Sequence, residues 1–343
     1  MQIRIFIGTG GVGKTSVAAA SALRSAIGGS KSLVLTIDPA RRLRSALGIA
    51  PDGFQQQLFL DSFDAKGELW AAQLDVAASL NRAVLETAEP KQAQAVLAHP
   101  IYKVLLQSLA GMQELMAVER IDQALDDGFE TISIDTAPSR HALEFVDKPE
   151  SFAQLVSFPL VRLVGRTYKW WEASRLASLS RKSFELYARV EAMLGATLTR
   201  QILDFFSIFR SIAEGYSRRA RRTLALLRNP EATSFIIVTT PFKARRDGEY
   251  FVVELAKRQF PVGSLVVNRV WPPRAGKRMA NAPPLLQNVV AWYDDVSLSH
   301  QQIWDQIEGD FRRTIAKRIQ VPELPGDIDG LPALHRMSEA LDL

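Results

Sequence analysis

Seven short, largely apolar runs punctuate this chain, at 2–7 (QIRIFI), 32–37 (SLVLTI), 69–74 (LWAAQL), 131–134 (TISI), 234–240 (SFIIVTT), 264–268 (SLVVN) and 318–321 (RIQV). Most are rich in Ile, Val and Leu without strict alternation, the pattern of strands buried on both faces. The alanine-rich stretch 15–27 (TSVAAASALRSAI) predicts a helix that Gly28 and Gly29 end. Strands alternating with helices indicate an α/β fold with a mostly parallel, doubly wound sheet. Functional residues collect at the carboxyl ends of such strands. Asp38, Asp135, Thr240 and Asn268 stand there.

The pattern changes between residues 76 and 229, where 131–134 is the one clear strand. The rest is helical in period. The expected organisation is a sheet domain of 1–75, 126–150 and 230–343, with a helical insert subdomain of 76–125 and 151–229. Within the insert, Phe205, Ile208, Phe209 and Ile212 recur at helical spacing, and Met112, Leu115 and Met116 add soft apolar surface. This stripe is either a groove for an apolar helix of a partner or ordinary subdomain core, and core is the commoner use. The basic run 217–222 (SRRARR) suits nucleic acid or anionic lipid, but a solvated helix face is the more frequent outcome. Trp170 and Trp171 form an aromatic pair that fits an interface or internal packing equally. The stretch 271–284 (WPPRAGKRMANAPP) reads as an exposed loop.

Composition narrows the chemistry. The 343 residues carry a net charge of +5, which permits an anionic partner without demanding one. The chain has no cysteine, so disulfides and thiolate sites for zinc, iron–sulfur clusters or arsenite are excluded. Its four histidines are far apart in sequence, which argues against a protein-only transition-metal site. No apolar run approaches the length that spans a bilayer. Residues 1–7 lead straight into a glycine-rich loop and read as a strand, not a signal peptide, so the cytoplasm is the expected compartment.

That loop carries the strongest chemical signal. In FIGTGGVGKTS (6–16), Gly8, Gly13, Lys14 and Thr15 satisfy G-x-x-x-x-G-K-[ST], between a strand and a helix. Amides of Gly8, Thr9, Gly10, Gly11, Val12, Gly13, Lys14, Thr15 and Ser16 would cradle phosphate oxygens, helped by the helix dipole. Lys14 should reach the β- and γ-phosphates of ATP, and the Thr15 hydroxyl should ligate Mg2+. Such a loop needs a second carboxylate for the metal and a group to orient water. Asp38 and Asp135 are the candidates; helix capping is the plainer use of either.

Together the segments GTGGVGKTS, TIDPA (36–40) and DTAPSRH (135–141) resemble those of the ArsA-type ATPases. SFIIVTTP (234–241), LVVNRV (265–270) and VPELPGDIDGLPAL (321–334) agree. The likeness is good over the nucleotide-binding half and weak in the inserts, apart from GMQE (111–114). The family includes arsenite-pump ATPases and the ATPase that delivers tail-anchored membrane proteins. It belongs to the deviant Walker A class of P-loop NTPases, which often work as nucleotide-sandwich homodimers. The resemblance implies that Asp38 orients the hydrolytic water in switch I. It implies that Asp135 holds Mg2+ through water at the head of switch II. It makes Asn268 the adenine-reading residue, with Pro322 near the base. It also implies that the helical insert takes an apolar protein or membrane-protein client.

Three departures stand out. Thr9 occupies the position of the signature lysine that reaches the neighbour's phosphates. The paired zinc-clamping cysteines and the arsenite-binding thiols are absent. Arg41, Arg42 and Arg140 stand in the switches where the family more often has His-Asn and Gly. One of these arginines is a candidate to supply the missing charge, against the plainer reading of surface charge. The leading expectation is an ATPase coupled to a client-binding helical subdomain, without arsenite binding and without nucleic acid. A ParA/MinD-like partitioning ATPase and a nucleotide-dependent binding module with little turnover are the alternatives.

Overall fold

The computed structural model describes residues 1–38, 43, 47, 55–107, 113–137, 143, 191–193, 195–274 and 283–343. The strands are β1 (Gln2–Ile7), β2 (Lys31–Thr36), β3 (Gln56–Leu58), β4 (Glu68–Gln73), β5 (Thr131–Asp135), β6 (Thr233–Thr239), β7 (Val262–Val270) and β8 (Lys317–Pro322). The helices are α1 (Lys14–Ile27), α2 (Val76–Thr87), α3 (Pro90–Ala98), α4 (Pro100–Gln107), α5 (Gln113–Asp126), α6 (Ala196–Arg228), α7 (Ala244–Lys257), α8 (Pro284–Asp310) and α9 (Gly330–Glu339). The chain divides into two compact units. One comprises Met1–Leu74, Ala124–Leu143 and Ala225–Leu343; the other comprises Asp75–Gln123 and Glu144–Leu224.

Among the described residues, the first unit is built on one eight-stranded sheet in the order β3-β4-β2-β5-β1-β6-β7-β8. Every pairing is parallel except β3 with β4. Each of the seven expected runs is a strand. The central ones are apolar and closed to solvent: Ile3, Ile5, Phe6, Ile7, Leu33, Val34, Leu35, Ile132 and Ile134 are all buried. Fully burying one such side chain stabilises the fold by about 1.5–3 kcal/mol. Helix α1 packs its alanines and Val17 and Leu23 against the face that carries Phe6 and Val34 and against α9. Its small residues bring the helix close to the strands. After Ile27 the chain turns through Gly28 and through Gly29 at φ 110, so the predicted stop holds.

Topology creates the site. From β1 the chain crosses to β2, and β5 later inserts between them. The strands β6, β7 and β8 are then added on the opposite side of β1. Register sets Asp135 level with Phe6 on one neighbour and Thr36 on the other. Three strand ends therefore meet where the connection reverses direction, the usual place for a ligand in an open α/β sheet.

In the helical unit, Asp75 caps α2 by accepting from the Ala78 amide at 2.9 Å, and Pro90 starts α3. Tyr102 is buried and donates to Asn81 Oδ1 at 2.7 Å. Phe205 and Met116 are buried, with the Phe205 ring against His99. Of the predicted apolar stripe, these two are core; Met112 and the side chains of Leu115, Ile208, Phe209 and Ile212 lie outside the described residues, as do Trp170 and Trp171. The basic run is partly committed. Arg219 pairs with buried Glu119 at 2.7 Å and donates to Thr87 Oγ1 at 2.6 Å, and Arg222 pairs with buried Asp122 at 2.8 Å. Arg218 and Arg221 remain exposed.

Candidate functional site

The glycine loop runs from the end of β1 into the first turn of α1. Its glycines are demanded by close approach. A Cβ on Gly8 would collide with the Val238 carbonyl oxygen of β6, and one on Gly13 with Asn268 Nδ2. Gly13 also sits at φ 91, a left-handed conformation that suits glycine. The first turn of α1 contains no acidic residue, and its N-cap glycine has no side chain to occupy the leading amides. Those amides and the positive end of the helix dipole face a cavity of about 360 Å³.

Gly11, Gly13, Lys14, Thr15 and Ser16 line that cavity from the loop, and Asp38 and Thr136 line it from the ends of β2 and β5. Lys14 is only 5% exposed, and its Nζ donates to the Thr9 carbonyl at 3.1 Å. Asp135 is buried. Its Oδ2 accepts from Thr15 Oγ1 at 2.8 Å and from Thr36 Oγ1 at 3.1 Å, while the equally buried Oδ1 has no hydrogen-bond partner. Thr36 Oγ1 in turn accepts from the Asp38 amide at 3.2 Å. Thr136 Oγ1 donates to the Phe6 carbonyl at 2.7 Å, fixing the chain just past Asp135 to β1. Burial pushes the Asp135 carboxyl up to about 6, against the lowering influence of Thr15, Lys14 and Thr36.

This donor set fits a hard divalent cation. An oxygen of Asp135 is buried without a partner, a threonine hydroxyl lies beside it, and all donors are oxygen. The fold thus brings Lys14, Thr15, Asp38 and Asp135 to one place.

Other predicted residues are placed differently. Asn268 is buried, and its Nδ2 donates to the Val12 carbonyl at 2.9 Å, so it braces the loop from β7. Neither Asn268 nor Pro322 is among the residues lining the cavity. Pro322 pairs with Val270 at the end of β8. Thr240 follows β6 and leads into a short 3₁₀ turn at Pro241–Lys243. Arg41, Arg42 and Arg140 lie outside the described residues.

The structure adds residues that sequence reasoning missed. Arg269, Ile328 and Asp329 complete the cavity wall. Arg269 occupies a bulge in β7, where pairing with β8 shifts register between Val267 and Val270, and it holds φ 61. A left-handed arginine costs about 1 kcal/mol or more, and such strain gathers at functional sites. The position directly after Asn268 was the available signal. Asp329 stands immediately before α9 in the GDIDG stretch.

An open parallel sheet, a glycine loop feeding a helix N-terminus and two carboxylates at neighbouring strand ends define a P-loop nucleotide-binding protein. More narrowly, the chain belongs to the anion-transporting ATPase (ArsA) family, whose model matches residues 1–343. It is 25% identical over 304 residues to an ATPase ASNA1 homolog of Paramecium tetraurelia, covering 85% of this chain and 84% of that one. It is 22% identical over 346 residues to ATPase get3 of Schizosaccharomyces japonicus, covering 98% and 91%. A protein of Prosthecochloris vibrioformis, provisionally named an arsenical pump-driving ATPase, is 31% identical over 157 residues, which is 45% of this chain and 37% of that one. Among the described residues no helix is long and apolar enough to cross a membrane.

Proposed function

We propose that this chain is a Mg2+-dependent ATPase, a cytoplasmic homodimer whose nucleotide state governs an apolar protein or membrane-protein client held by the helical unit. One observation carries the enzymatic part: Lys14, Thr15 and Asp38 face a single cavity with the P-loop amides, and Asp135 bonds Thr15 at its edge while keeping a buried oxygen to spare. Lys14 would move from the Thr9 carbonyl to the β- and γ-phosphates of ATP. Thr15 and Asp135 would hold the metal, Thr15 directly and Asp135 through water. Bound Mg2+ supplies charge neutralisation on the phosphate oxygens. Asp38 would orient the attacking water. Asn268 keeps the loop closed, and its adenine-reading role with Pro322 rests on family resemblance. Arg269 and Asp329, on the wall of the same cavity, would meet the nucleotide. The lack of cysteine argues against arsenite as cargo.

The client reading is supported by family membership and by a separate compact helical unit. Arg219 and Arg222 of the basic run are engaged by buried acids, which favours a protein client over nucleic acid as the partner.

ATP turnover per mole across a wide range of protein concentration tests the reading, with Lys14→Ala as the blank. Specific activity rising with concentration is the expected result and shows that hydrolysis needs a dimer. Activity that never exceeds the blank overturns the enzyme and leaves a binding module.

A further inference from the structure

The phosphate loop carries a threonine at position 9, and that side chain is turned into its own protein. Thr9 Oγ1 donates to Asp247 Oδ2 at 2.9 Å. Asp247 lies in the first turn of α7 and is 2% exposed. The same oxygen accepts from Thr239 Oγ1, at the end of β6, at 3.2 Å. Arg246 Nε lies 3.8 Å from the other oxygen and remains largely exposed. A carboxylate so deeply buried is costly to keep, and an apolar residue would hold a helix on a sheet as well. What the carboxylate adds is direction. Thr9 is fixed by its hydroxyl to Asp247 and by its carbonyl to the ammonium of Lys14.

We infer that Asp247 is a positioning residue for the phosphate loop: acting through Thr9, it sets where Lys14 rests before phosphate arrives. A chain of three groups runs from α7 to the loop lysine, the Asp247 carboxylate gripping the Thr9 hydroxyl and the Thr9 carbonyl gripping the Lys14 ammonium. Without the first link the peptide of Thr9 is free to rotate, and Lys14 loses a fixed acceptor. Position 9 is then an internal strut, with its side chain committed within the protomer. No binding role of its own is needed. This inference rests on the ATPase reading for its kinetic readout, but not for its structural one.

The test uses the full chain with Asp247→Ala, Asp247→Asn, Thr9→Val, Thr9→Ser and the double variant Thr9→Val/Asp247→Ala. Amide hydrogen exchange of residues 8–14 is followed without nucleotide, and steady-state ATP kinetics are measured alongside. Asp247→Ala and Thr9→Val should each speed loop exchange and raise KM for ATP about tenfold, the factor one hydrogen bond to a charged group carries. Because Lys14 meets phosphate in both ground and transition states, kcat should change little beside KM. Thr9→Ser should restore both values. The double variant should be no worse than either single one. Asp247→Asn, which keeps shape and an acceptor, should fall between, and it carries the test if the alanine variant does not fold. Unchanged loop exchange in the Asp247 variants, additive effects in the double variant, or a serine that fails as valine does, each overturns the inference. A wild-type protein that binds no ATP while its loop still loosens on Asp247→Ala supports the strut and overturns the nucleotide reading alone.

Discussion

The helical unit and the carboxyl edge of the sheet both bury carboxylates, but the nearest partner is an arginine in the first and a threonine in the second. Thr223 also donates to Asp122, and Arg246 lies 3.8 Å from Asp247. In the helical unit, Glu119 and Asp122 meet guanidinium groups of Arg219 and Arg222. At the sheet edge, Asp135 meets hydroxyls of Thr15 and Thr36, and Asp247 meets those of Thr9 and Thr239. The difference separates fastening from readiness. Opening a buried ion pair strands a charge at about 3–5 kcal/mol, whereas one hydrogen bond from a hydroxyl to a carboxylate contributes about 1.5–3 kcal/mol. A threonine can therefore leave a carboxylate for a metal at less expense than an arginine can. Asp135, with hydroxyl partners and a spare buried oxygen, has the form of a group awaiting a cation. Glu119 shares a raised carboxyl, pushed up by burial, but Arg219 opposes the shift directly.

The contrast breaks most visibly at Asp135. Asp135→Asn keeps the shape and both threonine contacts but removes the charge. Turnover should fall about 10²–10³-fold while the fold remains intact, because the lost interaction belongs to the transition state. Single-turnover measurements with and without Mg2+ check this; an asparagine variant with normal Mg2+-dependent rates would mean that the carboxylate is only a fastener. The reverse behaviour is expected in the helical unit. Arg219→Ala should destabilise the protein by about 2–3 kcal/mol, less than for a fully buried pair because Arg219 is partly exposed, and leave ATP affinity unchanged. Urea unfolding together with nucleotide titration reads both quantities.

The smallest effect concerns pH. Asp135 holds its proton to about 6 in the folded chain, against 3.8 as the ordinary value. Between those values the folded state binds more protons than the unfolded one, so this group favours the fold most below about pH 4 and loses that contribution as pH rises through about 6. Metal binding at Asp135, as proposed, would run the other way, since only the carboxylate serves a cation. Mg2+-dependent nucleotide affinity should decline up to about tenfold per pH unit below 6, and the decline should vanish in Asp135→Asn. Titration from about pH 5 to about pH 8 sharpens the comparison, because Arg-paired acids should contribute no matching step to nucleotide affinity.

What could be read from the sequence depended on distance along the chain. The phosphate loop is contiguous, and Asp38 and Asp135 each end an apolar run, so local pattern located them. β3 was missed because QQL holds no β-branched residue and pairs only at an edge. The 27-residue helix α8 was missed as well. Leu285, Val289 and Trp292 are exposed on it, so its apolar positions do not mark a buried stripe. Asp247 lies in an ordinary charged stretch, ARRDGEY, and meets Thr9, 238 residues away in the chain, only because β6 pairs with β1. Arg269 hid behind Asn268. The alternation of a strand places neighbours on opposite faces, but a bulge at 268–269 interrupts that rule, leaving Asn268 against the glycine loop and Arg269 on the cavity wall.

The two outermost strands have a consequence for the protein's life among other proteins. Among the described residues, the sheet ends in two rows of backbone groups that an incoming strand can pair with. Here one end is β3, three residues long and antiparallel. The other is β8, which carries Lys317 and Arg318 at its start and Pro322, with no amide hydrogen, at its finish. Neither offers a long, uncharged template. A handler of apolar clients would be exposed to segments prone to cross-β stacking, and blunt sheet edges would keep such segments from being added to the handler itself.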